Sequence, residues 1–210
     1  IVKDKELWHH LKPHIIVAGD AHYHFAPNPH ACAFRRDLAI RLAESPQTVF
    51  IYPSFFHGLV LREFPEFEDR CIPVDMAESP DLTLDLRRHL YSCPAGNVLG
   101  YLLLPFACTL AKQVGIWGFD GRHPDDRESL FWKNSSRHSY TDLIPEIKRR
   151  HPAFFDHHVP RDDCHKYIRR VHGQKLDSIL AHAESNGWRF VMLHPSWTER
   201  SEERRVGKEC

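Results

Sequence analysis

The chain has 210 residues, with 28 Lys plus Arg set against 28 Asp plus Glu and 42% hydrophobic residues. This balance excludes a charge-driven nucleic-acid or membrane-surface binder and predicts one ordinary-sized globular domain. Six cysteines, at 32, 71, 93, 108, 164 and 210 with no CxxC pair, read as reduced thiols in a cytoplasmic setting rather than a disulfide framework or a zinc ribbon.

The chain opens with Ile1-Val2-Lys3, without an initiator Met and in what reads as a helix already under way, so a missing N-terminal portion is expected. His14 to Gly19, apolar between Pro13 and a polar loop, reads as a buried parallel strand. Directly after it come Asp20-Ala21-His22-Tyr23-His24, with His30 close behind. At a strand end, residues two apart face the same side, so His22 and His24 are candidate metal ligands; the plainer reading is a polar loop lining a cleft, with Asp20, His22 and His24 touching substrate. A metal-dependent hydrolase of the amidohydrolase kind would need further ligands at later strand ends, where the chain has Pro53-Ser54, Asp120-Gly121 and His194-Pro195.

Helix periodicity follows at about 30–44 and 54–63, with a strand at Val49 to Tyr52 between them. Cys93-Pro94-Ala95-Gly96-Asn97 then leads into an apolar helix over 97–112, uncharged from Val98 to Ala111. A turn of this kind offers free backbone N–H groups to a phosphate, or is an ordinary N-cap. Val98 to Ala111 is 14 residues long, short of the roughly 20 a membrane span needs, so it reads as a buried helix that Pro105 kinks or bounds.

Gly115 to Phe119 reads as the next strand, ending in Asp120 and Arg122. The Arg122 guanidinium suits a departing phosphate, or forms a salt bridge with Asp120. Phe131 to Tyr140 is a polar-aromatic loop of the kind that closes as a lid, carrying Lys133 and Tyr140 as candidate substrate contacts. Helix periods recur at 139–150 and 174–186, the latter closed by Asn186-Gly187 and preceded by a basic, His-rich stretch in which His172 is a candidate general base. Arg189 to Leu193 is the last strand. Arg200 to Cys210 resembles a translated sequencing adapter, so the native domain is expected to end at 199, and removing that tail leaves the charge near zero. Strands alternating with helices give an α/β, Rossmann-like, mostly parallel sheet, incomplete at its N-terminus.

The order of these pieces resembles the bacterial glycosyltransferase group containing the family-42 sialyltransferases and the motility-associated-factor enzymes. The resemblance rests on Pro13 to Asp20, Ala95-Gly96-Asn97 with its apolar helix, Val114-Gly115 leading to Asp120, and Phe190 to Ser196. It implies a GT-A-type fold and transfer of a sugar from a nucleotide-sugar donor to a hydroxyl acceptor, without a metal or other cofactor, in surface-polysaccharide or glycoprotein assembly. On that resemblance Ala95, Gly96 and Asn97 contact the nucleotide, Asp120 sits at the mouth of the site, Arg122 replaces the family's tyrosines at the leaving phosphate, and His172 is the base. The family's Gly-Asn-Gly-Pro-Ser-type motif at the first strand is absent. The rival readings are the metal-dependent hydrolase centred on His22 and His24, and a domain that binds nucleotide or glycan without turnover.

Overall fold

The computed structural model describes residues 1–78, 83–89, 91–93, 97–119, 136–153 and 175–196. The chain divides into two compact units: Ile1–Asp75 with Leu130–Val159, and Met76–Ser129 with Pro160–Cys210. Each has its own apolar core.

In the first unit, helix α1 (Lys5–Leu11) starts at Asp4, whose carboxylate accepts the Leu7 N–H at 3.0 Å. The helix therefore begins here and is not already under way at residue 1. It ends at Lys12, in the left-handed region with φ 47°, and buries Trp8, whose indole N–H donates to Ser45 Oγ at 2.9 Å. Strand β1 (Ile15–Val17) pairs in parallel with β2 (Val49–Pro53), and β2 pairs in parallel with β3 (Cys71–Met76). β2 is buried at every residue after Val49, as a strand flanked on both edges and covered on both faces must be.

Helix α2 (Pro29–Glu44) connects β1 to β2. Asn28 caps it by accepting the Ala31 N–H, and Pro29 occupies the first turn, where its missing donor costs nothing. Phe34, Leu38 and Leu42, spaced by four, turn to the sheet; Leu38 and Leu42 are fully buried, each contributing about 2 kcal/mol. Helix α3 (His57–Glu63) leads to β3. The sequence did not predict β3, because Pro73 and Asp75 break its apolar run, yet Pro73 stands in register opposite Tyr52. Helix α5 (Ile144–Arg150) packs on α2 and inserts Ile144 and Ile147.

In the second unit, β4 (Tyr91–Ser92) lies beside Ala77, whose N–H donates to the Ser92 carbonyl at 3.0 Å. The second unit also contains a π-helical turn (Leu99–Leu103) that runs into α4 (Leu104–Leu110), with Pro105 in the first turn of the latter. Proline thus sets the boundary between two helical geometries, as its missing N–H requires.

Strands β5 (Gln113–Ile116) and β6 (Arg189–Met192) form a parallel pair. Helix α6 (Lys175–Ser185) covers it with Leu176, Ile179, Leu180 and Ala183, an i, i+3, i+4, i+7 stripe. α6 ends in a Schellman turn: Gly187, at φ 86°, donates to the Glu184 carbonyl and Trp188 to that of Ala183. The fold is therefore α/β with parallel pairing. Among the described residues no helix is long and apolar enough to cross a membrane, and Cys32, Cys71, Cys93 and Cys108 are free thiols.

Candidate functional site

At the carboxyl end of β1 the chain does not continue as a loop. It winds into a π-helical turn, Ala21–Phe25, capped by Asp20, whose carboxylate accepts the Tyr23 N–H at 2.9 Å. The Asp20 N–H in turn donates to His24 Nδ1 at 3.1 Å. Helical winding sends residues two apart to different sides, so the His22/His24 pair expected of a strand end is not formed. The His22 ring meets His151 edge-on at 5.4 Å, whereas the His24 ring lies on Phe34 at 4.5 Å. Among the described residues no group of three or more His, Cys, Asp and Glu is arranged to hold a metal ion.

His24 is a structural histidine. Burial, helped by the charge of nearby His30, pushes its imidazole down to about 3, so it is neutral with Nδ1 as an acceptor. The turn is held from below by Arg35, whose guanidinium donates to the carbonyls of His24 (3.0 Å) and Ala26 (3.3 Å) and pairs with Glu63. This leaves Asp20 and His22, both half-buried, as the turn's candidate substrate contacts.

Residues 136–140, the described part of the expected lid, are fastened down. Lys3 Nζ donates to the carbonyls of Ser136 (3.1 Å) and Ser139 (2.7 Å), and Arg137 pairs with Asp4 at 2.6 Å and Glu6 at 2.8 Å. Tyr140 is buried, and its hydroxyl donates to Asp37 Oδ2 at 2.5 Å. Burial and the Asp37 carboxylate together raise this phenol far above its ordinary range. Tyr140 therefore ties the loop to α2 and is not the substrate contact the sequence suggests.

His30 joins these two features. Its Nδ1–H donates to the Tyr23 carbonyl at 3.0 Å, and its ring meets Tyr23 and Tyr140, each at 5.2 Å between centroids. The sequence predicts no role for His30, Arg35, Asp37 or His151. The available signal was Asn28-Pro29, a helix start that places His30 in the first turn of α2.

In the second unit, Asn97 caps the helical segment that follows it: its Oδ1 accepts the Gly100 N–H at 2.8 Å and its carbonyl the Tyr101 N–H at 3.1 Å. One of the N–H groups expected to face a phosphate is thus already satisfied. Behind this cap, Thr83, Ser92, Cys93 and Gly100 line a small cavity of about 10 Å³, room for one water.

The exit from β5 is pinned to the exit from β6. Gly118, at φ 78°, donates its N–H to His194 Nε2 at 2.7 Å, and Ser196 Oγ donates to the Phe119 carbonyl at 2.8 Å. His194 Nδ1 in turn contacts the Pro195 carbonyl at 2.6 Å, which fixes the tautomer with hydrogen on Nδ1. The turn at Gly118 ends the strand earlier than the sequence predicts. Ala95, Gly96, Asp120, Arg122, Lys133 and His172 lie outside the described residues.

No known protein family matches the chain, and neither a curated protein nor a solved structure does.

Proposed function

We propose that the chain is a Rossmann-like glycosyltransferase that moves a sugar from a nucleotide-sugar donor to a hydroxyl acceptor in the cytoplasm, in the assembly of a surface polysaccharide or glycoprotein. The observation that carries this reading is the pinned exit of the parallel pair β5–β6. Gly118 and His194 are hydrogen-bonded at 2.7 Å where the chain leaves β5 toward Asp120, and in α/β folds ligands are taken up beyond the carboxyl ends of parallel strands. The same logic applies to Asp20 and His22, beyond β1.

In this scheme His172 removes the proton of the acceptor hydroxyl, a contribution of about 10²–10⁴ in rate. Arg122 and the helix start after Gly96 stabilise the charge growing on the departing nucleotide phosphate, while Asp120 and Lys133 border the donor. The chemistry calls for no metal, because the guanidinium and the backbone N–H groups supply the positive charge.

The test is a panel of nucleotide sugars in transfer and hydrolysis assays, alongside calorimetry with nucleoside mono- and diphosphates. His172→Ala is expected to lower kcat within that range at unchanged nucleotide Kd, and Arg122→Ala to weaken both turnover and diphosphate binding. Unaltered turnover in both variants overturns the role assignment. Tight nucleotide binding without turnover of any sugar nucleotide overturns the transferase itself and leaves a binding domain.

A further inference from the structure

We propose that His30 is a proton-sensitive pin, which in its neutral form holds the Asp20–Phe25 turn and the 136–140 strap together and which releases them when it is protonated. Four observations converge on this residue. It is 5% exposed in the first turn of α2. Its Nδ1 carries hydrogen, because its partner is the Tyr23 carbonyl, which can only accept. Its ring touches both segments, Tyr23 on one side and Tyr140 on the other. Its Nε2 is buried and has no hydrogen-bond partner among the described residues.

That last atom makes the pin a switch. In the neutral ring with hydrogen on Nδ1, Nε2 bears only a lone pair, and burying it without a partner is tolerable. Protonation places an N–H and a positive charge in the same spot, where nothing accepts the hydrogen, and a buried unpaired donor is costly.

The groups around His30 do not relieve this cost. On the turn are Asp20, Tyr23 and neutral His24; toward the strap and α5 are Tyr140, whose hydroxyl is committed to Asp37, and Asp142; from the N-terminal segment comes Lys3. Asp20 and Asp142 favour the charged ring and Lys3 opposes it, but burial dominates and the net shift is downward. A histidine held low in the folded state takes up its proton only by opening. The contribution is therefore intact above its free value of about 6.5 and is lost as the pH falls below that.

The experiment is amide hydrogen exchange on the full chain at pH 7.5 and 5.5, expressed as protection factors so that the chemical pH effect cancels. Protection in the strap, 136–143, is expected to drop about tenfold, the response to one pKa unit of linkage. His30→Asn keeps a donor for the Tyr23 carbonyl and removes this titration, so the drop in the strap should vanish, while in 20–26, where His24 also takes up a proton on opening, it should shrink. An equal drop in the strap of the variant overturns the proposal. Should the variant not fold, the ring nitrogen resonances of His30 in the unaltered chain decide: hydrogen on Nδ1 at pH 7.5 supports the pin, and hydrogen on Nε2 overturns it.

Discussion

The Tyr140 hydroxyl donates to the Asp37 carboxylate at 2.5 Å across 103 residues of sequence, tying the strap to the middle of α2. Both groups are largely withdrawn from water, so losing the bond is costly. Tyr140→Phe keeps the ring in its place against His30 but leaves Asp37 Oδ2 without the phenol, with Arg36 as the remaining donor to Oδ1. The expected loss is about 1–3 kcal/mol, measured as a lower urea midpoint at unchanged m-value. An unchanged midpoint would show that water replaces the phenol at no cost.

A second tie closes α2 itself. Arg70, at the start of β3, spreads its guanidinium over the carbonyls of Leu42, Ser45 and Thr48 at 3.0–3.2 Å and rests on the Phe67 ring at 4.9 Å. These are carbonyls at and beyond the helix C-terminus, which lack intrahelical donors, and a cation there also suits the helix dipole. Arg70→Ala is expected to cost about 2–4 kcal/mol, given that hydrogen bonds from a charged donor contribute about 1.5–3 kcal/mol. Arg70→Lys should recover only part, since Nη1 makes all three contacts but the further bond from Nη2 to the Leu42 carbonyl and the planar stack on Phe67 need a guanidinium. Thermal unfolding of the two variants side by side tests this, and full rescue by Lys would refute the geometric argument.

How much of this was legible in the sequence follows from the range of the interactions. The α2, α6 and β2 assignments rest on local periodicity, with Asn186-Gly187 closing α6, and they match the structure. Strand β3 was hidden because Pro73 and Asp75 mask a stretch that only its pairing with β2 makes a strand. The turn after β1 was misread for the opposite reason. Asp20-Ala-His-Tyr-His carries a local capping signal, Asp20 to Tyr23, which a strand-end reading of the histidines passes over. Tyr140 looked like a substrate contact because nothing near it in sequence announces Asp37.

Gly118 offers a test that separates backbone strain from side-chain packing. Its φ of 78° lies where an L-residue is strained, while a Cβ at this position would meet no atom of the described residues within 4 Å. Gly118→Ala is therefore expected to cost about 1–2 kcal/mol through conformation alone. Gly187→Ala is the matched control, with φ 86° and equally open space, and should cost a similar amount. A loss in Gly118→Ala far beyond that in Gly187→Ala would mean that the exit from β5 toward Asp120 carries more than a turn.

His24 sets the acid limit of the first unit. Its Nδ1 accepts the Asp20 N–H, an arrangement available only to the neutral ring, and burial lowers its pKa to about 3. His30 is lowered as well. Folded values below the free value of about 6.5 mean that the unfolded chain binds more protons than the native one between those limits. Stability is therefore complete above about pH 6.5 and falls as the pH drops toward the folded values. Between pH 7 and 5 the urea midpoint should decline, with His24 alone taking up close to one proton on unfolding at the lower pH and His30 adding to it. In His24→Asn the side-chain oxygen can still accept from the Asp20 N–H but does not titrate, so the uptake should fall by one. Equal proton uptake in the variant and the unaltered chain would remove His24 from the acid response.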